Sequence, residues 1–521
     1  MKRRKFVKCM GHSMAIPGVM STLGIGTANA QMVKRFMQMA ADQEKALVLI
    51  FLDGGNDGLN TVIPLNHLSA LNAVRPHVIL PDTSLIELPQ SELALHPSLD
   101  GFATLYNESR LGIVQNVGYP EQNYSHFRSS DIWMSGSDSD KVINSGWMGR
   151  YLAETFEGYP DEFPNEEMPD PLSVEIGYGS SMLFQGPNAL MSMVLNNPDD
   201  FYELVDEVQI EAPDTLAGDK LKYVRLIARQ SQQYGQVVVQ AARQAGTQLP
   251  YPGDDGSDHL AQRLKIIARL ISGGLKTPIY MVRIGGFDTH EGQVDTGDKT
   301  QGFHSGLLRE LNDAILAFMQ DLDHLGLSDN VLGMTFSEFG RRIVSNGSNG
   351  TDHGSAAPLF VFGNAVAGGV LGSNPVVDSG MNYEDNLEME FDFRQVYASV
   401  LEQWFGADSV KINSVLYKDF DTIPIIGDDA ITTVPTGINQ TLNVYPNPLN
   451  GQATIEFLAN SSPLNVEVLD VNGRLVEKVF RGYPNQRSMR INWNSVNLPK
   501  GRYFVIVNQK DNRQVFSVVK A

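Results

Sequence analysis

The chain has 521 residues, enough for two domains or more. With 42 % hydrophobic residues it can bury a large core, and a formal net charge of −20 excludes the basic surface that non-specific nucleic-acid binding requires. Its single cysteine, Cys9, falls in the N-terminal leader, so the mature chain is expected to have no disulfide, no cysteine-ligated metal and no thiol nucleophile.

Residues 1–30 read as an export signal: a basic start (Lys2 to Lys5), a weakly apolar stretch from Met14 to Gly26, and Ala28-Asn29-Ala30 as a small-x-small cleavage site. Arg3-Arg4-x-Phe6-Val7-Lys8 resembles a twin-arginine signal, with an ordinary secretory signal as the alternative. A short polar helix or connector is expected from Gln31 to Gln43. No stretch reaches the roughly 18 apolar residues of a membrane span, so no transmembrane anchor is expected.

The run Ala46 to Leu52 is almost continuously apolar, as in a central parallel strand buried on both faces. It ends at Asp53-Gly54-Gly55-Asn56-Asp57-Gly58, where glycines permit close backbone approach. Asp53 is the first candidate metal carboxylate and Asp57 the second. A helix opening at His96 to Leu99 and running to Tyr106 precedes a strand from Leu111 to Val117. The next helix starts near Ser125, His126 and Arg128. A helix N-terminus favours anions and lowers a nucleophile's pKa, which makes Ser125 the leading nucleophile candidate.

Residues 154–170 read as a surface loop, Pro171 to Gly177 as a strand, and Leu221 to Ala245 as a helical insertion over the site. His259 to Ile271 is an amphipathic helix stopped by Gly273-Gly274. The strand Ile279 to Ile284 ends in Gly285-Gly286-Phe287-Asp288-Thr289-His290. Asp288 and His290 are two apart and point the same way in an extended loop, as paired metal ligands would. A helix from His304 to Leu325 leads to the strand Val331 to Phe336, then Ser337-Glu338-Phe339-Gly340-Arg341, a Gly/Asn/Ser loop, Asp352-His353, and a strand from Pro358 to Gly363. Carboxylates, imidazoles and arginine past the ends of apolar strands, with helices between, predict a doubly wound α/β sheet with helices on both faces and a metal site along one edge.

Five blocks in order resemble the family called domain of unknown function 1501: Leu52 to Gly58, Ser125 to Arg128, Gly286 to His290, Ser337 to Arg341 and Thr351 to Gly354. That family looks like a branch of the alkaline-phosphatase and sulfatase superfamily. The resemblance implies an alkaline-phosphatase-like fold over residues 45–420, one or two divalent metals (zinc, manganese or calcium), and phosphoryl or sulfuryl transfer. It places Asp53, Asp288, His290, Glu338 and His353 at metal-ligand positions, with Asp352 beside them. Phe339 stands where the superfamily has a histidine, and Ser125 and Thr61 both remain open as nucleophile. Arg341 and Arg128 are the candidates for holding the non-bridging oxygens.

A Pro/Thr/Gly linker (421–439) leads to short alternating runs within 440–521, which predict a small β-sandwich with a hairpin turn at Asp470 to Arg474. Tyr445-Pro446-Asn447-Pro448, Leu498 to Tyr503 and Lys520 make this part resemble the C-terminal sorting domain of the type IX secretion system. The resemblance implies that secretion machinery as partner and a secreted or cell-surface location reached through the periplasm. Two functional classes follow: a secreted metal-dependent hydrolase acting on small or polymeric phosphate or sulfate esters, and a non-catalytic surface binding or assembly protein that keeps the hydrolase fold.

Overall fold

The computed structural model describes residues 45–427 apart from 178, 199–214 and 255–259, and residues 443–520 apart from 446–448, 450, 459–463, 471–473, 483–487, 497 and 510–511. The export signal, the connector at 31–43, most of the linker and the hairpin turn at 471–473 lie outside the described residues. The chain divides into two compact units, Met1–Val434 and Pro435–Ala521.

The first unit is built on nine strands: β1 (Ala46–Asp53), β2 (Leu111–Gly118), β3 (Ser173–Ile176), β4 (Met193–Leu195), β5 (Ile279–Gly285), β6 (Val331–Phe336), β7 (Ala357–Phe362), β8 (Gly369–Leu371) and β9 (Phe391–Asp392). Their order is β8-β2-β7-β6-β1-β5-β3-β4, with β9 beside β2. β1 pairs in parallel with β5 and β6. β7 alone is reversed, antiparallel to both β2 and β6. The chain therefore enters β7 at the edge where β1, β5 and β6 leave. Residues just before β7 meet residues just after the other three.

The alternation of β1 explains the layers. Val48, Ile50 and Leu52 face one core, with helices α1 (Asp100–Asn107), α4 (Leu260–Ser272) and α5 (Phe303–Leu325). Leu47, Leu49 and Phe51 face the other, with α2 (His126–Ser135), α3 (Trp147–Thr155) and α6 (Phe393–Ser399). All six side chains are at most 2 % exposed. Each such burial stabilises the fold by roughly 1.5–3 kcal/mol relative to an exposed side chain, so both faces of the strand need a helical layer. The long helix Leu216–Gln244 differs from its expected place over the site. Its described residues Val238, Ala241 and Ala242 join the α4 layer, because they carry the helix's apolar stripe. Among the described residues no helix is long and apolar enough to cross a membrane.

A buried polar layer underlies the loop after β1. Asp57 pairs with Arg75, both side chains being sealed from solvent, and Gln293 Nε2 donates to the same carboxylate oxygen at 2.5 Å. Arg75 also donates to the carbonyls of Arg342 (2.9 Å) and Ile343 (3.1 Å). Asp57 is thus anchored inside the protein. Beside it, His304 Nε2 donates to Asn56 Oδ1 at 2.9 Å, and the His96 ring lies edge-on to His304 at 6.0 Å.

The second unit holds two antiparallel sheets. Asn443–Tyr445, Gln452–Leu458 and Ser488–Asn494 form one; Leu475–Gly482, Leu464–Asp470, Gly501–Gln509 and Asn512–Lys520 form the other. Ile455, Phe457 and Trp493 of the first share one apolar core with Val466, Val468 and Val505 of the second, a small β-sandwich. The strand Leu475–Gly482 escaped the sequence reading because it lies at a sheet edge with most residues exposed, and so shows no buried alternation.

Burial pushes His304 down to about 4 and His96 down to about 3 from 6.5. The unfolded chain therefore binds more protons between these values, and stability is full above pH 6.5 and falls as the pH drops towards 4. Urea unfolding is expected to show a loss of roughly 2 kcal/mol per histidine between pH 6.5 and 5. His96→Gln/His304→Gln should flatten that slope; an unchanged slope would refute the assignment.

Candidate metal centre

The loops after β1, β5 and β6 and the segment before β7 converge on one edge of the sheet. A buried guanidinium ties them. Arg341 Nε donates to Gly55 O (2.8 Å), Nη1 to Thr351 O (2.9 Å), and Nη2 to Gly54 O, to Phe287 O (2.8 Å) and to Asp288 Oδ1 (2.8 Å). An isolated bridge pairs Arg341 with His353, and Arg342 N donates to Asp352 O at 2.9 Å, so the two segments run as a short antiparallel ribbon. Gly54 sits at φ +124° where a Cβ would lie 2.3 Å from Asp288 N, so only glycine lets these two loops meet.

At the point of convergence lie His126, Asp288 and His353, whose ligand-type atoms all fall within 4.8 Å of one another. Asp288 Oδ1 is 3.1 Å from His353 Nε2, 3.1 Å from His290 Nε2 and 3.4 Å from His126 Nε2. His290 Nε2 and His353 Nε2 are 2.9 Å apart.

Each imidazole is held from behind through Nδ1. His126 Nδ1 donates to Glu338 Oε1 at 2.8 Å, His290 Nδ1 to Asp352 Oδ1 at 2.5 Å, and His353 Nδ1 to the carbonyl of Tyr124 at 2.7 Å. Those bonds fix the tautomers, leaving every Nε2 as a bare lone pair pointing at the same spot. The buried Nε2 of His126 has no hydrogen-bond partner. Facing lone pairs beside a carboxylate repel unless a cation lies among them, and imidazole with carboxylate is a zinc-type donor set. The residues present therefore fit a divalent metal.

The titrations follow the geometry. Burial raises the Asp288 carboxyl, but the hydrogen bond from Arg341 and the charge of its guanidinium outweigh it and hold it at about 2. The hydrogen bond to Glu338 raises His126, against a smaller opposing effect of burial, while burial lowers His353. Burial raises Asp53, with Arg283 opposing.

Of the six residues picked from the sequence as ligands, Asp288 and His353 stand at the centre and His290 touches both. Glu338 and Asp352 stand one step back as the carboxylates that orient His126 and His290; Glu338 is fully buried and also accepts from Gly54 N at 2.9 Å. Asp53 lies to the side, with Arg283 Nη1 3.3 Å from its Oδ2. Among the three residues picked for catalysis, Ser125 is exposed at the N-cap of α2 and makes no side-chain capping bond. Arg341 spends its hydrogen bonds on the loops. Arg128 turns to the 137–141 loop, onto Ser137 Oγ and the carbonyls of Asp138, Ser139 and Lys141. Thr61 is buried, donating to Asp57 O at 2.7 Å. His126 was missed as a donor. The signal was its place beside Ser125 at the start of α2, within the Ser125 to Arg128 block. Phe339 is buried against the imidazoles, its ring 4.5 Å from His353 and 5.0 Å from His126.

A central mixed sheet flanked by helices, with a His/Asp cluster at its edge and a small β-sandwich behind it in sequence, defines a two-unit α/β protein. Residues 113–416, more than half of the chain, match the proteins of unknown function DUF1501, and the chain belongs to that family. Residues 443–521 match the secretion system C-terminal sorting domain. No curated protein matches the chain. Similar solved structures include a sulfatase from Pseudoalteromonas sp. (12 % identity, TM-score 0.34, covering 90 % of this chain and 88 % of that one). They include the phosphonate monoester hydrolase of Silicibacter pomeroyi (10 %, 0.29, 91 % and 88 %). A third is a protein of the alkaline phosphatase superfamily from Vibrio parahaemolyticus (9 %, 0.32, 86 % and 79 %). Scores at this level carry no argument about chemistry.

Zinc titration checks the centre. His126→Ala and His353→Ala are expected to abolish tight binding, and Glu338→Gln, which removes only the orienting charge, to weaken it about 10–100-fold. Unchanged affinity in His126→Ala would remove that residue from the donor set.

Proposed function

We propose that the chain is an exported, metal-dependent hydrolase of phosphate or sulfate esters, working at His126, Asp288 and His353. The observation that carries this reading is the convergence of three tautomer-fixed imidazole nitrogens on one carboxylate oxygen. His290, touching both Asp288 and His353, is the fourth donor. Imidazole and carboxylate suit zinc, then manganese; calcium prefers all-oxygen sites. A cation bound there would supply Lewis acidity to an ester oxygen and favour the ionised form of an attacking hydroxyl.

The chain's own residues do the rest. Glu338, Asp352 and the Tyr124 carbonyl hold the three rings in place, which removes reorganisation from the reaction. Arg341 fixes Asp288 in its ionised form. Ser125 lies next to His126 with its hydroxyl free of capping duty, and the N-terminal N–H groups of α2 favour an anion there. We assign Ser125 as the nucleophile.

One observation favours the competing reading of a binding protein that has lost turnover: Phe339 packs against two of the imidazoles, at the position where the resemblance implies a histidine for a second metal. The two separate by experiment. The hydrolase should carry one equivalent of zinc or manganese and turn over 4-nitrophenyl phosphate or 4-nitrophenyl sulfate. Chelation should abolish that activity, and Ser125→Ala should lower kcat by at least about 10²-fold. Stoichiometric metal without turnover of either ester would establish the binder.

The sorting domain supports handling by type IX secretion machinery and a secreted or cell-surface destination. The leader would deliver the chain to the periplasm first. Deleting residues 440–521 is expected to retain the protein in the periplasm of a type IX-secreting host; normal surface delivery of the truncated chain would refute the role.

A further inference from the structure

Beside the metal centre lies a cavity of about 370 Å³ at the ends of β3 and β5. That size falls within the roughly 300–1,000 Å³ of small-molecule sites. β3 and β5 pair in parallel with Glu175 opposite Met281, so Glu175, Met281 and Arg283 rise from the same face of the sheet. Phe51 of β1 is opposite Arg283, whose guanidinium carbon lies 5.1 Å from the Phe51 ring centre. Phe51 and Met281 belong to the layer of α2, the helix that begins with His126. Centre and cavity therefore share one edge of the sheet, and the cavity is lined from both faces there, by Met281 and Arg283 on the α2 side and by Ile176, Val282 and Arg263 on the α4 side.

Arg283 joins them. Its Nη1 is 3.3 Å from Asp53 Oδ2, and its side chain is 48 % exposed. Glu175 also lines the cavity, with Oε2 accepting from the N and Oγ of Ser181 at 3.0 Å each. Arg263 Nη1 is committed to the Arg283 carbonyl at 2.5 Å. Ile176 and Val282 on the α4 side and Met281 on the α2 side supply the apolar lining. Among the described residues, none has an atom within 4 Å of a Cβ placed at Gly179 or Gly285. A half-exposed guanidinium over an apolar wall, beside a reaction centre, suits an organic group that carries a negative charge.

We propose that this cavity receives the remote part of the substrate and that Arg283 selects esters bearing a second anionic group, a carboxylate, sulfate or phosphate. The inference rests on the ester-hydrolase reading and adds the substrate class.

The test uses binding to the full zinc-loaded chain, so that it does not depend on turnover. Phenylphosphonate and benzenesulfonate are titrated by calorimetry, each with and without a para-carboxylate, directly attached or on a two-carbon arm. The carboxylate is expected to tighten binding at least about tenfold in the natural chain. Arg283→Met should lose that gain, and so should Gly179→Phe, which fills the cavity without touching a charge. Equal affinities with and without the carboxylate, or a gain that survives both substitutions, would overturn the subsite alone. If neither parent compound binds the zinc-loaded chain, the ester-hydrolase reading fails and this inference falls with it.

Discussion

One buried guanidinium organises the functional edge of this protein. Arg341 reaches carbonyls after β1, after β5 and before β7, and ends on the Asp288 carboxylate. An arginine this deep is tolerable only when its planar donor fork is satisfied, and three loops supply the acceptors. The loops are in turn held by it, since loop carbonyls buried away from water need donors. Remove the cation and Asp288 loses its counter-charge, Gly54 and Gly55 lose their tether, and the ribbon that presents His353 loses its partner strand. The metal-type donors depend on this tie more than on any contact among themselves, because among themselves they repel.

The second constraint is topological. If β7 ran parallel to its neighbours, the segment preceding it would lie at the opposite edge, and His353 would be a strand's length from Asp288. Reversal brings Asp352 and His353 to the edge where β1, β5 and β6 end. Strands β1, β2, β3, β5, β6 and β7 were legible because they are short apolar runs ended by polar or glycine-bearing turns, and the helices because their apolar positions recur at helical spacing; β4, β8 and β9, two or three residues long, were too short to show a pattern. Strand direction has no such local signal: Pro358 to Phe362 has the same apolar character whichever way it runs. Neither periodicity nor the family resemblance supplied that direction.

The same limit explains which site residues were legible. Asp288 and His290 stand in a short loop directly after an apolar strand, where spacing alone places them at the edge; His353 stands before one, and its place depends on the direction of β7. Glu338 and Asp352 have the right chemistry and the right address. Whether a carboxylate points at a metal or at the back of an imidazole is a matter of one side-chain torsion, which spacing does not encode. His126 was obscured by Ser125 beside it, since a helix start draws attention to its cap residue. Arg341 and Arg128 were read as hands for an anion because arginine so often serves that purpose. Burial turned the first into a structural tie, and the carbonyl-rich 137–141 loop took up the second.

Phe339 decides what kind of chemistry this edge can support. Its ring packs 5.0 Å from His126 and 4.5 Å from His353 and offers no donor for a second cation. A two-metal clamp stabilises both the attacking and the leaving oxygen of a displacement; with one centre, only one of those oxygens is served. The other must be met by groups of the protein: the amide ends of α2 on the Ser125 side, or a cation on the far side. Arg341 is unavailable for that duty because its hydrogen bonds are spent inside. Arg283 is available, since Asp53 is its weak, half-exposed partner at 3.3 Å, and pairs of that kind are worth little in water. In the proposed reading, the aromatic residue that leaves the centre a single cation shifts substrate recognition towards the β3–β5 side of the sheet.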